Sequence, residues 1–395
     1  MKKLTRRELL QRGVILGLGV VAASCTPSPV SEIDTEEPTS TKVTDLTPTA
    51  TRSQPTATPS ATPQPTATET EEEAMPTTPQ PTATETEEES TSTEGPQHQV
   101  ALIRTSDRME GVQRALALLG AEGPDGERVL LKPNYNSADS APGSTHNDVL
   151  RALVDWLREQ GAGDMLLADR SGMGDTGQVM EQKGIFDLGQ ELGFKVRVLD
   201  ELEAEEWELV QLPESHWREG FPIAKLARET PYIVQACCLK THRYGGHFTL
   251  SLKNSVGLVA KVVPDQSTDY MSELHGSPHQ RLMIAEINAA YTPDLIVMDG
   301  VEAFVSGGPA RGERVEANVV LASRDRVALD AVGVAILRHF GTTPEVSRGT
   351  VFEQEQIARA VELELGAGGP EEIKILTEDE EGEAFAGRIR EILRA

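Results

Sequence analysis

Short apolar runs alternate with amphipathic stretches from residue 98 to the end of the sequence. The apolar runs have the length of strands and lie at 100–104, 128–132, 164–169, 194–200, 232–240, 294–300, 317–323 and 372–376. Helical periodicity separates several of them, as in NDVLRALVDWLREQG and DRVALDAVGVAILRHFG, and each of these stretches ends in a Gly that suits a helix C-terminus. This alternation predicts an α/β fold with a mainly parallel, doubly wound sheet and helices on both faces. An inserted subdomain is allowed between about 200 and 290.

The first 25 residues have the pattern of an export signal. Five basic residues precede or flank the apolar run VILGLGVVAA, which is too short to be a comfortable membrane span. The stretch TRRELLQ resembles the twin-arginine export motif, and AASC, ending at Cys25, resembles a lipobox in which the cysteine is acylated. We therefore expect an exported protein that is lipid-anchored through Cys25 at the extracytoplasmic face of the membrane. An ordinary secretory signal and a retained N-terminal anchor are the alternatives.

Residues 26–97 have the composition of a disordered tether. Thr, Pro, Ser and Glu dominate, and the segment contains no Phe, Tyr or Trp that a folded core would bury. The twelve residues TPQPTATETEEE occur at 62–73 and again, unchanged, at 78–89. The repeat is one of a low-complexity unit and not of a packed module, so residues 98–395 are the predicted α/β domain.

Charge and cysteine content limit the partners. The formal net charge of the chain is -26, which argues against nucleic acid or an anionic lipid surface as a partner unless one local patch is basic. From residue 98 onward the cysteines are Cys237 and Cys238. Neighbouring residues in a strand point to opposite faces, so a disulfide between them is not expected. Two cysteines are also too few for the four cysteine ligands of a common iron–sulfur cluster, so no such cluster is expected.

Polar residues close several of the predicted strands. Lys132, Asp169, Lys240 and Asp299 end four apolar runs, and Ser323-Arg324-Asp325 follows a fifth. Ligands of open parallel sheets bind outside the carboxyl ends of the strands, so these residues are expected to converge at one edge. Capping of the following helices explains Asp325 well, but a lysine is no N-cap and capping does not explain Lys132 or Lys240.

The order of several motifs resembles the DUF362 family. These motifs are KPNYN, CLKTHRYGGHFTLSLKNSVGL, DLIVMDGVEAFVSGGPARG and SRDRVALDAVG, and the likeness runs from residue 98 to about residue 345. The family is largely uncharacterised, and many members are described as iron–sulfur proteins with a ferredoxin-like cysteine module. This sequence lacks those cysteines, so the resemblance does not imply cluster-based electron transfer here.

Cations concentrate in and around the second of these motifs. Gly245 and Gly246 allow a tight backbone path, and LKNSVGL is expected to begin a helix with Lys253 and Asn254 near its start. Lysines together with free N–H groups at a helix N-terminus favour an anion, so we predict a basic pocket for a small anionic ligand. The alternative is that these lysines form ion pairs with surface carboxylates. The predicted ligand-binding residues are Lys132, Asn134, Asp169, Lys240, Thr241, Lys253, Asn254 and Gly308.

Histidines near this segment suggest a second kind of chemistry. His242, His247 and Asp299 are candidate ligands of a divalent metal, although their spacing is not a recognised zinc pattern. His242, Asp299 and Lys240 are the candidate catalytic residues, with His242 as general acid or base. The cofactor is otherwise unknown. The main functional hypotheses are an enzyme acting on a small anion and a tethered binding or sensing lipoprotein without catalysis, and a purely structural role at the cell surface is the third.

Overall fold

The computed structural model describes residues 98–395, and the predictions for the signal, the tether and Cys25 lie outside them. The strands are β1 His98–Arg104, β2 Val129–Lys132, β3 Met165–Asp169, β4 Lys195–Val198, β5 Trp207–Val210, β6 Phe221–Ala224, β7 Tyr232–His242, β8 His247–Thr249, β9 Leu295–Gly307, β10 Gly312–Val315, β11 Val319–Ser323 and β12 Ile373–Leu376.

The helices alternate with these strands. They are α1 Arg108–Leu119, α2 Asn147–Glu159, α3 Thr176–Gln182, α4 Ile185–Leu192, α5 Leu226–Glu229, α6 Ser251–Asn254, α7 Tyr270–Gly276, α8 Gln280–Ile287, α9 Arg326–His339, α10 Pro344–Ser347, α11 Glu355–Glu362 and α12 Glu380–Arg394. Short 3₁₀ turns occupy Leu199–Glu201, Ala204–Glu206, Ser255–Leu258 and Pro370–Glu372. Within the described range, no helix is long and apolar enough to cross a membrane.

A mostly parallel sheet forms the centre of the domain. Its strands follow the order β12-β1-β11-β9-β7-β2-β3-β4, with β10 added to β9 and β8 added to β7. The pairs from β9 through β7, β2 and β3 to β4 are parallel, whereas β11 is antiparallel to both β9 and β1. The predicted α/β fold class is confirmed.

Alternate residues of the strands supply two hydrophobic cores. Val100 and Leu102 of β1 pack on one face, against α9, α11 and α12, while Ala101 and Ile103 pack on the other, against α1 and α2. This is the period of two that places successive side chains on opposite faces of a sheet. Helices therefore cover both faces, as the sequence predicts.

The segment after β4 leaves the main sheet. Strands β5 and β6 pair with each other as a separate antiparallel sheet. Their apolar residues form a third core with Leu130 of β2, Ile233 of β7 and the apolar residues of α7 and α8. This core covers part of the main sheet and positions the 251–276 region, which contributes to the site described below.

Strand β11 corrects one part of the sequence prediction. Because β11 runs antiparallel to its neighbours, its C-terminal residue Ser323 pairs with Val100 and Ile296, near the beginnings of β1 and β9. Ser323, Arg324 and Asp325 therefore do not join the other strand-end residues. Asp325 instead caps α9 by accepting a hydrogen bond from the backbone N–H of Ala328.

Candidate functional site

A small cavity opens at the carboxyl ends of β2, β3 and β7. It has a volume of about 80 Å³. This volume is enough for a few water-sized groups, which is the size of a small ion. Its charged and polar walls come from Lys132, Asn134, Asn136, Asp169, Arg170, His242, Thr249, Lys253, Asn254 and His275, and its apolar walls from Met173, Tyr244, Val256, Met271 and Pro309.

Lys132 and Asp169 form a buried ion pair in the floor of the cavity. Lys132 Nζ lies 2.7 Å from Asp169 Oδ1 and also donates to the backbone oxygen of Pro133 and to Asn254 Oδ1. The other carboxylate oxygen of Asp169 accepts a hydrogen bond from the backbone N–H of Tyr135. All three ammonium protons of Lys132 therefore have acceptors.

Burial perturbs both members of this pair. It lowers the pKa of Lys132 and raises the pKa of Asp169, and in each case contact with the partner opposes the effect of burial. The pair is neutral overall whether the proton sits on the amine or on the carboxylate. It therefore shapes the cavity without adding net charge to it.

Lys240 lies behind the cavity wall. Its ammonium group is fully buried and donates to Asn134 Oδ1, at 2.6 Å, and to the backbone oxygen of Gly143. Asn134 lines the cavity and Lys240 does not, so the cation acts on the cavity through the amide of Asn134. Burial lowers the pKa of Lys240.

Lys253 is the cavity-lining lysine that has no partner among the described residues. It is 7% exposed, and it makes no hydrogen bond or ion pair with any residue in the part of the chain that the structure describes. Burial, followed by the charges of Arg170 and Lys240, lowers its pKa to about 7. Near neutral pH, Lys253 therefore exchanges between ammonium and free amine.

Three other polar atoms of the cavity walls also lack hydrogen-bond partners. Asn136 Nδ2, Thr249 Oγ1 and His242 Nδ1 are buried and unsatisfied. An unpaired buried polar atom costs about 1–3 kcal/mol, so its presence in a native structure calls for an explanation. The side chains that carry these atoms line the same cavity as Lys253, so the unsatisfied groups cluster around one site.

His242 is a neutral imidazole at the end of β7. Burial lowers its pKa well below the ordinary value, and Lys253, His275 and Lys240 lower it further. The ring packs edge-on against Tyr244, with 5.8 Å between the ring centroids. His247 is the strand partner of His242 across the β7–β8 turn, but it does not line this cavity. It lines a neighbouring cavity of about 400 Å³, which His242 also lines.

The structure does not bring Asp299 to these histidines. Its carboxylate accepts a 2.7 Å hydrogen bond from Arg108 Nε and one from the backbone N–H of Val301, and it does not line the cavity. Across residues 98–395, no group of three or more His, Cys, Asp or Glu side chains could hold a metal ion. The predicted metal ligands His242, His247 and Asp299 thus do not form one set, because Arg108 already neutralises the carboxylate.

The helix that contains Lys253 differs from the predicted anion site. It is a single turn, Ser251–Asn254, that continues as a 3₁₀ turn. The backbone N–H groups of Ser251 and Leu252 donate to the buried carboxylate of Asp330, at 2.8 and 3.0 Å. The expectation of free N–H groups for a ligand is therefore wrong, since a side chain of this protein occupies them.

Two glycines bring the backbone close to the site. A Cβ at Gly257 would lie 2.2 Å from Asp169 Oδ1, and one at Gly308 would lie 2.0 Å from the backbone oxygen of Thr241. Gly308 also has a φ of 63°, which disfavours other residues. Thr241 and Gly308 do not line the cavity, so they define its edge and are not among its walls.

Sequence reasoning missed Arg170, Asn136 and Thr249. Arg170 follows Asp169 directly, so its place at a strand end was the available signal. Its guanidinium donates to the backbone oxygens of Val259 and Val256, at 2.7 and 2.6 Å, and fixes the segment after α6. No carboxylate among the described residues lies within ion-pairing distance of Arg170, Lys240 or Lys253, so the cations are in excess here.

The two cysteines are structural thiols. Cys237 and Cys238 are buried and unpaired, and burial raises the pKa of both. Neither lines the cavity, so they remain protonated parts of the β7 core.

Fold and site together define a doubly wound α/β protein with a cationic cavity at the carboxyl edge of its sheet. The model of one family, described as "Domain of unknown function (DUF362)", matches residues 129–335, just over half of the 395 residues. The chain belongs to the DUF362 family.

Two individual proteins are similar to this chain. The "Thylakoid-associated protein sll1697" of Synechocystis sp. (strain ATCC 27184 / PCC 6803 / Kazusa) is 28% identical over 218 residues, which cover 54% of this chain and 64% of that relative. The chain thus spans less than two thirds of the relative's length. The lactate racemase apoprotein of Thermoanaerobacterium thermosaccharolyticum is 19% identical, with a TM-score of 0.38 and coverage of 57% of this chain and 54% of that one.

Proposed function

We propose that the cavity binds a small anionic ligand, with Lys253 as the residue that recognises its charge. The observation that carries this proposal is Lys253, a residue only 7% exposed that lines the cavity and makes no hydrogen bond or ion pair among the described residues. A buried cation without a counter-charge is costly, and an anion bound beside it offsets that cost.

The neighbouring groups support an anion over a neutral ligand. Asn136 Nδ2 and Thr249 Oγ1 are unsatisfied and can donate to a carboxylate, sulfate or phosphate oxygen. Arg170 and Lys240 add positive charge that no described carboxylate pairs with. A cationic cavity in a chain of net charge -26 concentrates the field on a small ion and repels larger polyanions.

Isothermal titration of the full-length protein with sulfate, phosphate and malonate tests this proposal. The Lys253→Met variant should lose at least about tenfold in affinity, since a hydrogen bond to a charged group contributes about 1.5–3 kcal/mol. Lys374→Met is the matched control, because Lys374 is exposed on β12 and far along the sheet from the cavity. Equal affinities for wild type and Lys253→Met, with unchanged thermal unfolding, would refute the proposal.

An enzyme is favoured over a simple binding protein by one observation. His242 and Lys253 line the same cavity, so a titrating amine and an unsatisfied imidazole nitrogen belong to one site. In that case Lys253 exchanges the proton, His242 forms a hydrogen bond to the ligand, Lys240 positions Asn134, and Asp299 has no contact with the ligand. Turnover of a small organic anion that His242→Gln abolishes would separate the two functions, and metal analysis of the purified protein tests the divalent cofactor.

We also propose that the protein is exported and held at the extracytoplasmic membrane face by a lipid on Cys25. The twin-arginine-like TRRELLQ and the lipobox-like AASC support this location. The tether would then carry the α/β domain away from the membrane surface.

A further inference from the structure

We propose that Lys253 is an amine nucleophile that forms a Schiff base with a small anion bearing an aldehyde or ketone group, such as a 2-oxo acid. This inference rests on the proposed anion site and names the class of ligand that the site takes. It also adds a covalent step that anion binding alone does not require.

The three lysines around the cavity differ in whether their nitrogen is available. Lys132 Nζ has three acceptors in Asp169, Asn254 and Pro133, and Lys240 Nζ has two in Asn134 and Gly143. These hydrogen bonds keep both nitrogens as donors, so their lone pairs are not available for attack. Lys253 Nζ has no acceptor in the described part of the chain, so its lone pair is free once the proton has left.

The surroundings of Lys253 favour the free amine. The titratable groups around Lys253 offer it no unpaired negative charge. They are Lys240 and His242 from β7, Arg170 after β3, the neutral Lys132–Asp169 pair and His275 of α7. Burial next to other cations is the usual way in which proteins activate a lysine for attack on a carbonyl. The lowered pKa of Lys253 agrees with this geometry.

His242 lies beside the same glycine as Lys253. A Cβ at Gly246 would be 2.8 Å from Lys253 Cε and 2.9 Å from His242 Nδ1, so both atoms flank this glycine. His242 Nδ1 is buried and has no hydrogen-bond partner. A neutral imidazole there can form a hydrogen bond with the ligand, while the proton that the amine loses can pass to the carbonyl oxygen.

The step balances without a further reagent. The nitrogen lone pair of Lys253 attacks the carbonyl carbon, the C–N bond forms, and the carbonyl electron pair moves to oxygen, which takes up a proton. The resulting carbinolamine loses that oxygen as water while the nitrogen gives up its second proton and the C=N bond forms. Amine and carbonyl thus become imine and water, with Asn136 Nδ2 and Thr249 Oγ1 available to hold the carboxylate.

Reductive trapping tests the proposal. Full-length protein is incubated with pyruvate and sodium cyanoborohydride near neutral pH, and the product is analysed by intact mass and peptide mapping. We expect one adduct, on Lys253, that forms at the normal rate in Lys374→Met, is absent in Lys253→Met and is suppressed by excess sulfate. Peptide mapping of the wild type locates the adduct even if the variant does not fold.

The outcomes separate this inference from the anion site. If sulfate binds in titration but trapping labels only exposed lysines or nothing, the Schiff base is refuted and the anion site stands. If neither sulfate nor pyruvate binds, both proposals fail. Labelling of Lys132 or Lys240 in place of Lys253 would also overturn the inference, because it would show that the hydrogen-bonded amines are the reactive ones.

Discussion

Single residues of the cavity differ in what their charges contact, and this difference decides their roles. Lys132 is neutralised by Asp169, Asp299 is neutralised by Arg108, and Lys253 has neither partner nor acceptor among the residues described. The sequence marks Lys132, Asp169 and Asp299 alike, as charges at the ends of apolar runs, and Lys253 as a charge near a helix start. Only the fold decides which of these charges pair and which has no partner among the described residues.

The pKa of Lys253 predicts how anion affinity depends on pH. Its folded pKa is about 7, because burial and neighbouring cations disfavour the ammonium form. Protonation favours anion binding, so the affinity should be highest below this value and should fall as the pH rises through it. Titration with sulfate, whose charge is constant in this range, measures the effect. Constant affinity across neutral pH would mean that Lys253 does not bind the anion.

The Lys132–Asp169 pair predicts a large loss of stability when one member is removed. Asp169→Ala leaves Lys132 as a buried cation without a counter-charge, and such changes cost about 3–5 kcal/mol. Urea denaturation measures the free energy of unfolding. The double variant Lys132→Met/Asp169→Leu should recover most of the loss, since it removes both charges. A double variant as unstable as Asp169→Ala would show that hydrogen bonds, and not charge, dominate here.

At the scale of elements, a carboxylate from α9 holds the turn that carries Lys253. Asp330 accepts hydrogen bonds from the backbone N–H groups of Ser251 and Leu252 and from the Ser251 hydroxyl. Ser251 and Asp330 are 79 residues apart, so no local pattern reveals the contact. This is why the sequence predicted a helix N-terminus open to a ligand.

Removal of Asp330 should therefore affect the site at a distance. Asp330→Ala leaves two buried N–H groups unsatisfied, and we expect a loss of about 2–4 kcal/mol in stability together with weaker sulfate binding. Asp325→Ala is the control: at the opposite edge of the sheet it removes the N-cap of the same helix together with the contacts to Ala367 and His98, so it should also lower stability but leave the affinity unchanged. Unchanged affinity in Asp330→Ala would show that the turn does not position Lys253.

Strand order and direction mark the limit of what the pattern predicts. Apolar runs and helical periodicity predict the elements and the α/β class, because both depend on local spacing. An apolar run does not reveal the direction of its strand in the sheet, however, and β11 runs antiparallel to its neighbour β9. Lys132, Asn134, Asp169, Lys253 and Asn254 do line one cavity, whereas Asn136, Thr249 and Arg170 gave no comparable signal beyond their positions.

At the scale of the whole molecule, we expect an exported lipoprotein. If Cys25 carries the lipid, Cys25→Ala should move the protein from the membrane fraction to the soluble fraction and abolish incorporation of radiolabelled palmitate in cells. Substitution of the Arg6-Arg7 pair by Lys-Lys should instead leave the precursor inside the cell. Membrane association that survives Cys25→Ala would contradict lipidation and favour a retained N-terminal anchor.

The proposed function requires an anion in the cavity beside Lys253. Anomalous diffraction from crystals of the full-length protein grown with selenate can locate such an ion, since the selenium signal is independent of the protein coordinates. We expect a peak in the cavity, with one selenate oxygen about 2.7–3.2 Å from Lys253 Nζ. Selenate found only at exposed arginines, with the cavity filled by water, would contradict it.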